Sequence, residues 1–462
     1  MARLLERIPV LVRLFALNSR GGNSNIISLL ATLVVRLFAG PLVDGTDESE
    51  SSCRTLMTTS DSPAYGPRKV MAGLLILGAI PSGLPGAITS VGGLYAVRFF
   101  IGILGGTFVA CQAWTTAFFD TNIVGTANAF AAGWGNSGGG FTFIIMVALY
   151  DHLIADGLSQ HVAWRAAFAI VPVPVLLTVA VLCLVLGSDH PNGRWADRHR
   201  VLRVNEQVSE QAPDSPPTER SSSFDKEKRK QEEVPNLNVD IYVVDESEVT
   251  KAVNKKLTLS IALDALSKPL TWLPAFAYMT TFGYELAIDA NLANVIFNLY
   301  KEDGFGQTKA GYLAATFGLL NIFTRPMGGI LGDIVYARYG VPGKKYLTLT
   351  CGFLQSALSL AWGLYIDSMT DPSLGVFILL MVLCAIFNEA GNGANFALVP
   401  HCNPYSNGSM SGLVGGFGNI GGVIFAVIFR FQPHPIGKPF WIAGILGMGV
   451  NLLLTPISVP PR

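Results

Sequence analysis

Arg325-Pro-Met-Gly-Gly-Ile-Leu-Gly-Asp333 repeats, 289 positions on, the pattern of Arg36-Leu-Phe-Ala-Gly-Pro-Leu-Val-Asp44: an arginine, a glycine four residues later and an aspartate four beyond that. Residues four apart stack on one face of a helix, so each copy lays a polar stripe along an otherwise apolar segment. A second repeat stands at an offset of 283. Gly125, Gly133, Gly135, Asn136, Gly138 and Gly139 recur as Gly408, Gly416, Gly418, Asn419, Gly421 and Gly422. The chain is therefore built of two related halves. Secondary transporters use such halves to form a site near the bilayer midplane, with one half rocking against the other.

The surrounding composition supports a membrane setting. The 462 residues are 50% hydrophobic and 14% charged, against about 25% charged in soluble domains, and the mean hydropathy is +0.43. Apolar runs bounded by Gly, Pro or charge fall at 23–43, 69–89, 91–119, 123–148, 164–187, 270–300, 309–337, 346–366, 373–399, 407–431 and 438–457. Each is long enough to be read as a transmembrane helix. The expected class is an all-α membrane protein with about eleven spans. Its N-terminal half covers 23–187, a polar linker rich in Ser, Pro, Lys and Glu covers 188–269, and the C-terminal half covers 270–462. The linker cannot bury enough apolar surface to fold and reads as disordered.

Net charge is zero, which gives no reason to expect a nucleic-acid partner. Cys111, Cys183, Cys351 and Cys384 lie in apolar runs and read as buried free thiols. Cys53 and Cys402 lie in polar surroundings, and no CxxC or Cys/His spacing suggests a metal. Arg3, Arg7, Arg13 and Arg20 interrupt any signal-peptide core in the first 22 residues, of which 5–17 could lie along a membrane surface.

Lysine and arginine set the orientation. The linker carries thirteen of them and is placed in the cytoplasm, as are Arg68/Lys69 and Arg338/Lys344/Lys345. The sequon Asn407-Gly-Ser409 then falls on the cytoplasmic side and is discounted for glycosylation. Five spans before a cytoplasmic linker leave the arginine-rich N-terminus outside, against the positive-inside tendency. A twelfth helix before Asn23 would remove the conflict.

Each repeat arginine precedes its cytoplasmic-end aspartate by a rise of roughly 12 Å. That puts Arg36 and Arg325 near the centre of a hydrocarbon core about 30 Å thick, where an arginine costs at least about 2.5 kcal/mol. A lone arginine there could be structural, snorkelling or salt-bridged. Two at equivalent positions point to a shared anion, and a planar guanidinium suits a planar oxyanion.

Gly133, Gly135, Gly138 and Gly139, with Gly416, Gly418, Gly421 and Gly422, match the dinucleotide fingerprint by letter but lack its strand and soluble βαβ unit. They read as helix-packing glycines. Asn136 and Asn419 are the surplus, because an amide in hydrocarbon needs a partner, and they are expected to line the anion path. Glu285 and Asp289 share a helix face and could take part in proton coupling, although packing at the extracellular end and bonding to neighbouring helices is the favoured reading. Phe108 and Phe282 alone read as core aromatics, and Tyr278 admits either role.

Ala131-Ala-Gly-Trp-Gly-Asn-Ser-Gly-Gly-Gly140 and Gly415-Gly-Phe-Gly-Asn-Ile-Gly-Gly422 resemble the two signatures of the nitrate/nitrite porter family of the major facilitator superfamily. Phe282-Gly-Tyr-Glu-Leu-Ala-Ile-Asp-Ala-Asn291 and Asn388-Glu-Ala-Gly-Asn-Gly-Ala-Asn-Phe-Ala-Leu-Val-Pro400 are similar to its fungal branch, which has a long central loop. The resemblance, from about Asn23 to Phe440, implies a twelve-helix fold in two six-helix halves, with one anion between Arg36 and Arg325. Asn136 and Asn419 stand at the signature positions, and Phe108, Tyr278 and Phe282 at pocket positions.

The chain departs from the family twice. Residues 45–65 divide Asp44 from Gly66-Pro-Arg68, and residues 1–22 supply no first helix. Both departures read as gene-model errors, a retained intron and a missed or substituted first exon. The chain as written is expected to be transport-deficient, and a form with a first helix and without 45–65 to be active.

The expected function is secondary active transport of nitrate, and also of nitrite, across the plasma membrane by proton symport with alternating access. The protein is expected to be a monomer, without a cofactor. Its partners are the anion, protons and the lipid bilayer. Nitrate/nitrite antiport and nitrate sensing are the alternatives. An enzyme is disfavoured, since no nucleophile–base pair, metal cluster or valid cofactor motif is present.

Overall fold

A computed structural model describes residues 20–44, 65–120, 122–191, 193, 195, 259–304, 306–402 and 407–461, with the backbone alone at 20–23, 259–262 and 303. The expectations for residues 1–19, 45–64 and 196–258 lie outside these. The first half comprises α1 (Arg20–Asp44), α2 (Gly66–Gly83), α3 (Val91–Ile101), α4 (Thr107–Phe118), α5 (Val124–Asn136), α6 (Gly138–Ala155), α7 (Gln160–Ile170) and α8 (Pro172–Leu186). The second comprises α9 (Leu259–Ser267), α10 (Pro269–Tyr300), α11 (Gln307–Ser368), α12 (Leu374–Cys402), α13 (Asn407–Phe431) and α14 (Lys438–Leu454).

Breaks inside these elements have local causes. A 3₁₀ turn at Gly102–Gly106 joins α3 to α4, α5 and α6 meet at Ser137, and Pro172 opens α8 directly after α7. Each pair forms one crossing stretch. The 62-residue α11 changes direction at Gly340, where φ 67 and ψ −158 need a residue without Cβ, and it supplies two arms.

Among the described residues, eight stretches are long and apolar enough to cross a membrane by length and composition, and Lys438–Leu454 is a shorter apolar helix. With α10, and with α11 counted as two arms, helices occupy all eleven expected segments. Large apolar side chains such as Phe38, Phe323 and Leu453 stand more than 65% exposed, a surface suited to lipid rather than water.

The halves cross-pack in a repeated way. α1 lies on α13, and α11 lies on α5. Asp44 accepts from the N–H of Gly408 (3.1 Å), the N–H of Ser409 (2.7 Å) and the Ser409 hydroxyl (2.7 Å). Asp333 accepts from the N–H of Gly125 (3.2 Å), the N–H of Thr126 (2.6 Å) and the Thr126 hydroxyl (2.7 Å). Each aspartate thus satisfies the free N–H groups at the start of a helix in the other half, where negative charge is favoured. Lys344 adds an ion pair to Asp333 at 3.1 Å. Both clasps lie at the end that the positive-inside reading assigns to the cytoplasm. Asn407 is buried beside the first clasp.

Three expectations need correction. The linker read as 188–269 is ordered at its ends: Asp189 pairs with Arg68 at 3.4 Å, Trp195 packs with Val43, Val70 and Ala113, and α9 lies inside the range. Cys402 is buried, not polar-exposed, whereas Cys111 and Cys183 are only half-buried. Glu285 bonds to neighbouring helices, as expected, but from the middle of α10 rather than at its extracellular end.

Candidate anion-binding site

The site begins with where two arginines can be held. Arg36, on α1, is 5% exposed. Its Nε donates to the Gly105 carbonyl at 3.0 Å and its Nη1 to the Gly415 carbonyl at 2.8 Å. Gly105 lies in the 3₁₀ turn, and Gly415 on α13 lets the guanidinium come close, since a Cβ there would lie 3.2 Å from Arg36 Nη1. The two carbonyls come from opposite halves.

Arg325, on α11, is fully buried. Its Nη2 donates to the Tyr278 hydroxyl at 2.8 Å, and its Nη1 stands 3.9 Å from Glu285 Oε2. That distance is an ion pair but too long for a hydrogen bond, so Nη1, with Nε, has no hydrogen-bond partner among the described residues.

Aromatic rings close the space around these cations. The Tyr278 and Phe282 rings stack at 4.8 Å, one turn apart on α10. Phe108 lies nearly parallel to both at 6.4 and 6.5 Å, and Phe396 meets Phe108 and Tyr278 edge-on, at 5.0 Å in each case. Arg36 sits 4.8 Å from the Phe108 ring and 5.3 Å from that of Phe282, and Arg325 lies 5.9 Å from the rings of Tyr278 and Phe282. Both cations therefore share one aromatic wall. Gly418 makes room for it, because a Cβ there would meet Phe282 at 2.7 Å and Tyr278 at 2.8 Å.

The signature asparagines reach the arginines' partners. Asn419 Nδ2 donates to the Gly415 carbonyl at 3.0 Å, the oxygen Arg36 also uses. Asn136 Nδ2 donates to Glu285 Oε1 at 3.4 Å. Glu285 also accepts from Asn321 at 2.9 Å and Asn392 at 2.6 Å, so three amides and Arg325 surround its carboxylate.

The glycines divide. Gly133, Gly416, Gly418, Gly421 and Gly422 lie against neighbouring helices. Gly135 and Gly138 have open space where a Cβ would stand, and Gly139 has only Asp289 at 3.8 Å.

Sequence reasoning passed over Phe396, Asn321, Asn392, Thr324 and Glu389. The available signal was a polar or acidic residue within a charge-poor run. The two carbonyls that hold Arg36 leave no side-chain trace.

Two buried cations on symmetry-related helices, walled by aromatic rings between cross-packed halves, fit the two-half architecture of membrane transporters. Residues 22–426 match the Major Facilitator Superfamily, and the chain belongs to it. Its relatives include nitrate transporter 2.1 of Chlamydomonas reinhardtii, 28% identical over 97% of this chain and 69% of that protein. The nitrate/nitrite transporter of Nostoc punctiforme is 24% identical over 89% of this chain and 79% of that one. These relatives bear out the likeness to nitrate/nitrite porters. Among solved structures, a proton:xylose symporter bound to 6-bromo-6-deoxy-D-glucose has the same fold, with a TM-score of 0.54, 13% identity and coverage of 95% of this chain and 88% of that one.

Proposed function

We propose that this protein carries nitrate, and also nitrite, across the plasma membrane by proton symport. The anion sits between Arg36 and Arg325, and the halves rock about it. The observation that carries the reading is the unequal charge balance at the pocket: among the described residues, two buried guanidinium groups meet one carboxylate in ion-pair range, that of Glu285. A monovalent anion makes up the difference, and a planar one matches the donor fork of arginine. The printed names of the relatives support nitrate and nitrite as the cargo.

Proton coupling follows from energetics. An interior 100 mV negative opposes nitrate entry by about 2.3 kcal/mol. One proton per anion cancels that cost, and two let the potential drive uptake. The two cytoplasmic-end clasps hold the halves together on that side, so release inward requires both aspartates to leave their helix ends.

Uptake of labelled nitrate tests the reading. Cells lacking their own nitrate transporters would express this chain, and in parallel a form without residues 45–65. We expect the second to accumulate nitrate with proton entry, and the first to do so weakly. Nitrate accumulation without proton entry removes symport, and no nitrate or nitrite flux by either removes the cargo assignment.

A further inference from the structure

Glu389 lies on α12, in a run almost free of charge, and is fully buried. Its Oε2 is hydrogen-bonded to Thr324 Oγ1, while its Oε1 has no hydrogen-bond partner among the described residues. It forms no ion pair within reach of any cation among the described residues. Its charged and titratable neighbours are Arg325 on α11, Glu285 and Asp289 on α10, and Cys384 on its own helix. α5, which also packs on α12, carries no titratable residue. The nearest titratable side chain on α13 is Arg430, in its last turn.

The hydroxyl of Thr324 fixes where the proton is. A threonine has one O–H to give. Thr324 Oγ1 stands 2.8 Å from the Leu320 carbonyl, one turn back on the same helix, and a carbonyl can only accept. Giving the proton to Glu389 instead would leave the Thr324 oxygen facing the Leu320 oxygen, acceptor against acceptor. Both contacts of the Thr324 hydroxyl are satisfied when Thr324 donates to Leu320 and the Glu389 carboxyl, protonated, donates to Thr324. An ionised carboxylate in this place would have one hydrogen bond and the arginine pair only beyond ion-pair range, so its charge is favoured only when the pair lacks another anion. Backbone contact keeps the two side chains together: a Cβ on Gly328 would strike the Ala390 carbonyl, and one on Gly393 the Arg325 carbonyl.

We propose that Glu389 is the residue that carries the coupled proton, and that nitrate and the Glu389 carboxylate are alternative counter-charges for the arginine pair. This rests on the symport reading above. Arg36 and Arg325 bring two fixed positive charges and Glu285 one negative charge. The remaining positive charge is balanced either by an ionised Glu389 or by nitrate. When nitrate binds, the Glu389 carboxylate becomes surplus negative charge and takes up a proton at Oε2, which then bonds to Thr324. When nitrate leaves, the proton is released. Anion and proton thus favour each other's binding, and the linkage is reciprocal.

The test is nitrate binding to the purified full chain by calorimetry, in buffers of different ionisation enthalpy between pH 5 and 8. Wild type is expected to take up about one proton per nitrate. Its Kd should rise about tenfold per pH unit once Glu389 ionises in the anion-free protein. Glu389→Gln cannot ionise and should bind nitrate with no linked proton and a flat pH profile.

Linked uptake that persists in Glu389→Gln overturns the assignment while leaving symport standing. Wild type that takes up no proton overturns both. Should Glu389→Gln fail to fold, nitrate-induced infrared difference spectra of wild type and Glu389→Asp decide. A carboxylic C=O band that changes frequency with the substitution belongs to this residue, and one that stays put belongs to another and overturns the proposal.

Discussion

Arg36 and Arg325 are copies of one sequence pattern held in different ways. Arg36 is gripped by two backbone carbonyls, those of Gly105 and Gly415. Arg325 is gripped by side chains: the Tyr278 hydroxyl and, more distantly, the Glu285 carboxylate with its three amide donors. A carbonyl does not titrate, so the grip on Arg36 holds a fixed charge, and the Gly415 part of it belongs to the other half. The Arg325 half contains the acids and hydroxyls through which charge can change. The repeat makes the site symmetric in cations, and the proposed proton step falls to the side chains around Arg325.

Lysine substitutions strain this comparison most. Lysine keeps the charge but lacks the planar fork, and we expect nitrate affinity to fall about tenfold or more at either position. Arg325→Lys should be the worse, because it also strands the Tyr278 hydroxyl and leaves Glu285 with a poorer partner. Binding to each purified variant ranks them, and an Arg36→Lys loss exceeding that of Arg325→Lys reverses the assignment of roles.

Tyr278→Phe should cost less than Arg325→Lys. It removes one hydrogen bond to a charged group, worth about 1.5 kcal/mol net at the low end, about tenfold in affinity, while retaining the stacked ring. If the ring were all that mattered, this variant would bind as wild type does.

For the asparagines we expect normal surface abundance with slowed flux per molecule after Asn136→Ala or Asn419→Ala, and more slowing at Asn136 because its amide reaches Glu285. Low abundance with normal turnover would make them packing residues only.

The smallest effect concerns the clasps. Asp44→Asn and Asp333→Asn each weaken a charged helix cap worth about 1 kcal/mol. The loss should be larger at Asp333, which also pairs with Lys344, and thermal melting in detergent compares the two. Equal shifts in melting would mean that the Lys344 ion pair adds nothing.

Much of this was legible in the sequence because period and repetition survive in it. The apolar segments could be read from charge depletion, and the arginines from an i, i+4, i+8 pattern that recurs. Other features could not be read. That Asp44 caps the helix starting at Asn407 is a contact between the halves, and local pattern holds no trace of it. Glu285 and Asp289 share a face, but their spacing does not say which one meets Arg325. The open space at Gly135 and Gly138 shows the limit of reading every small residue as a packing residue: the motif supplies glycines, and helix placement decides which of them touch. Glu389 lay within a quoted motif without being singled out, since only the proton count at Thr324 distinguishes a neutral acid from an ionised one.

Calorimetric titration of the purified chain with nitrate, beside the double variant Arg36→Lys with Arg325→Lys, bears most directly on the claim that these two residues clamp the anion. If the losses combine, the double variant should bind at least about a hundredfold more weakly than wild type. Unchanged nitrate affinity in the double variant would contradict the clamp.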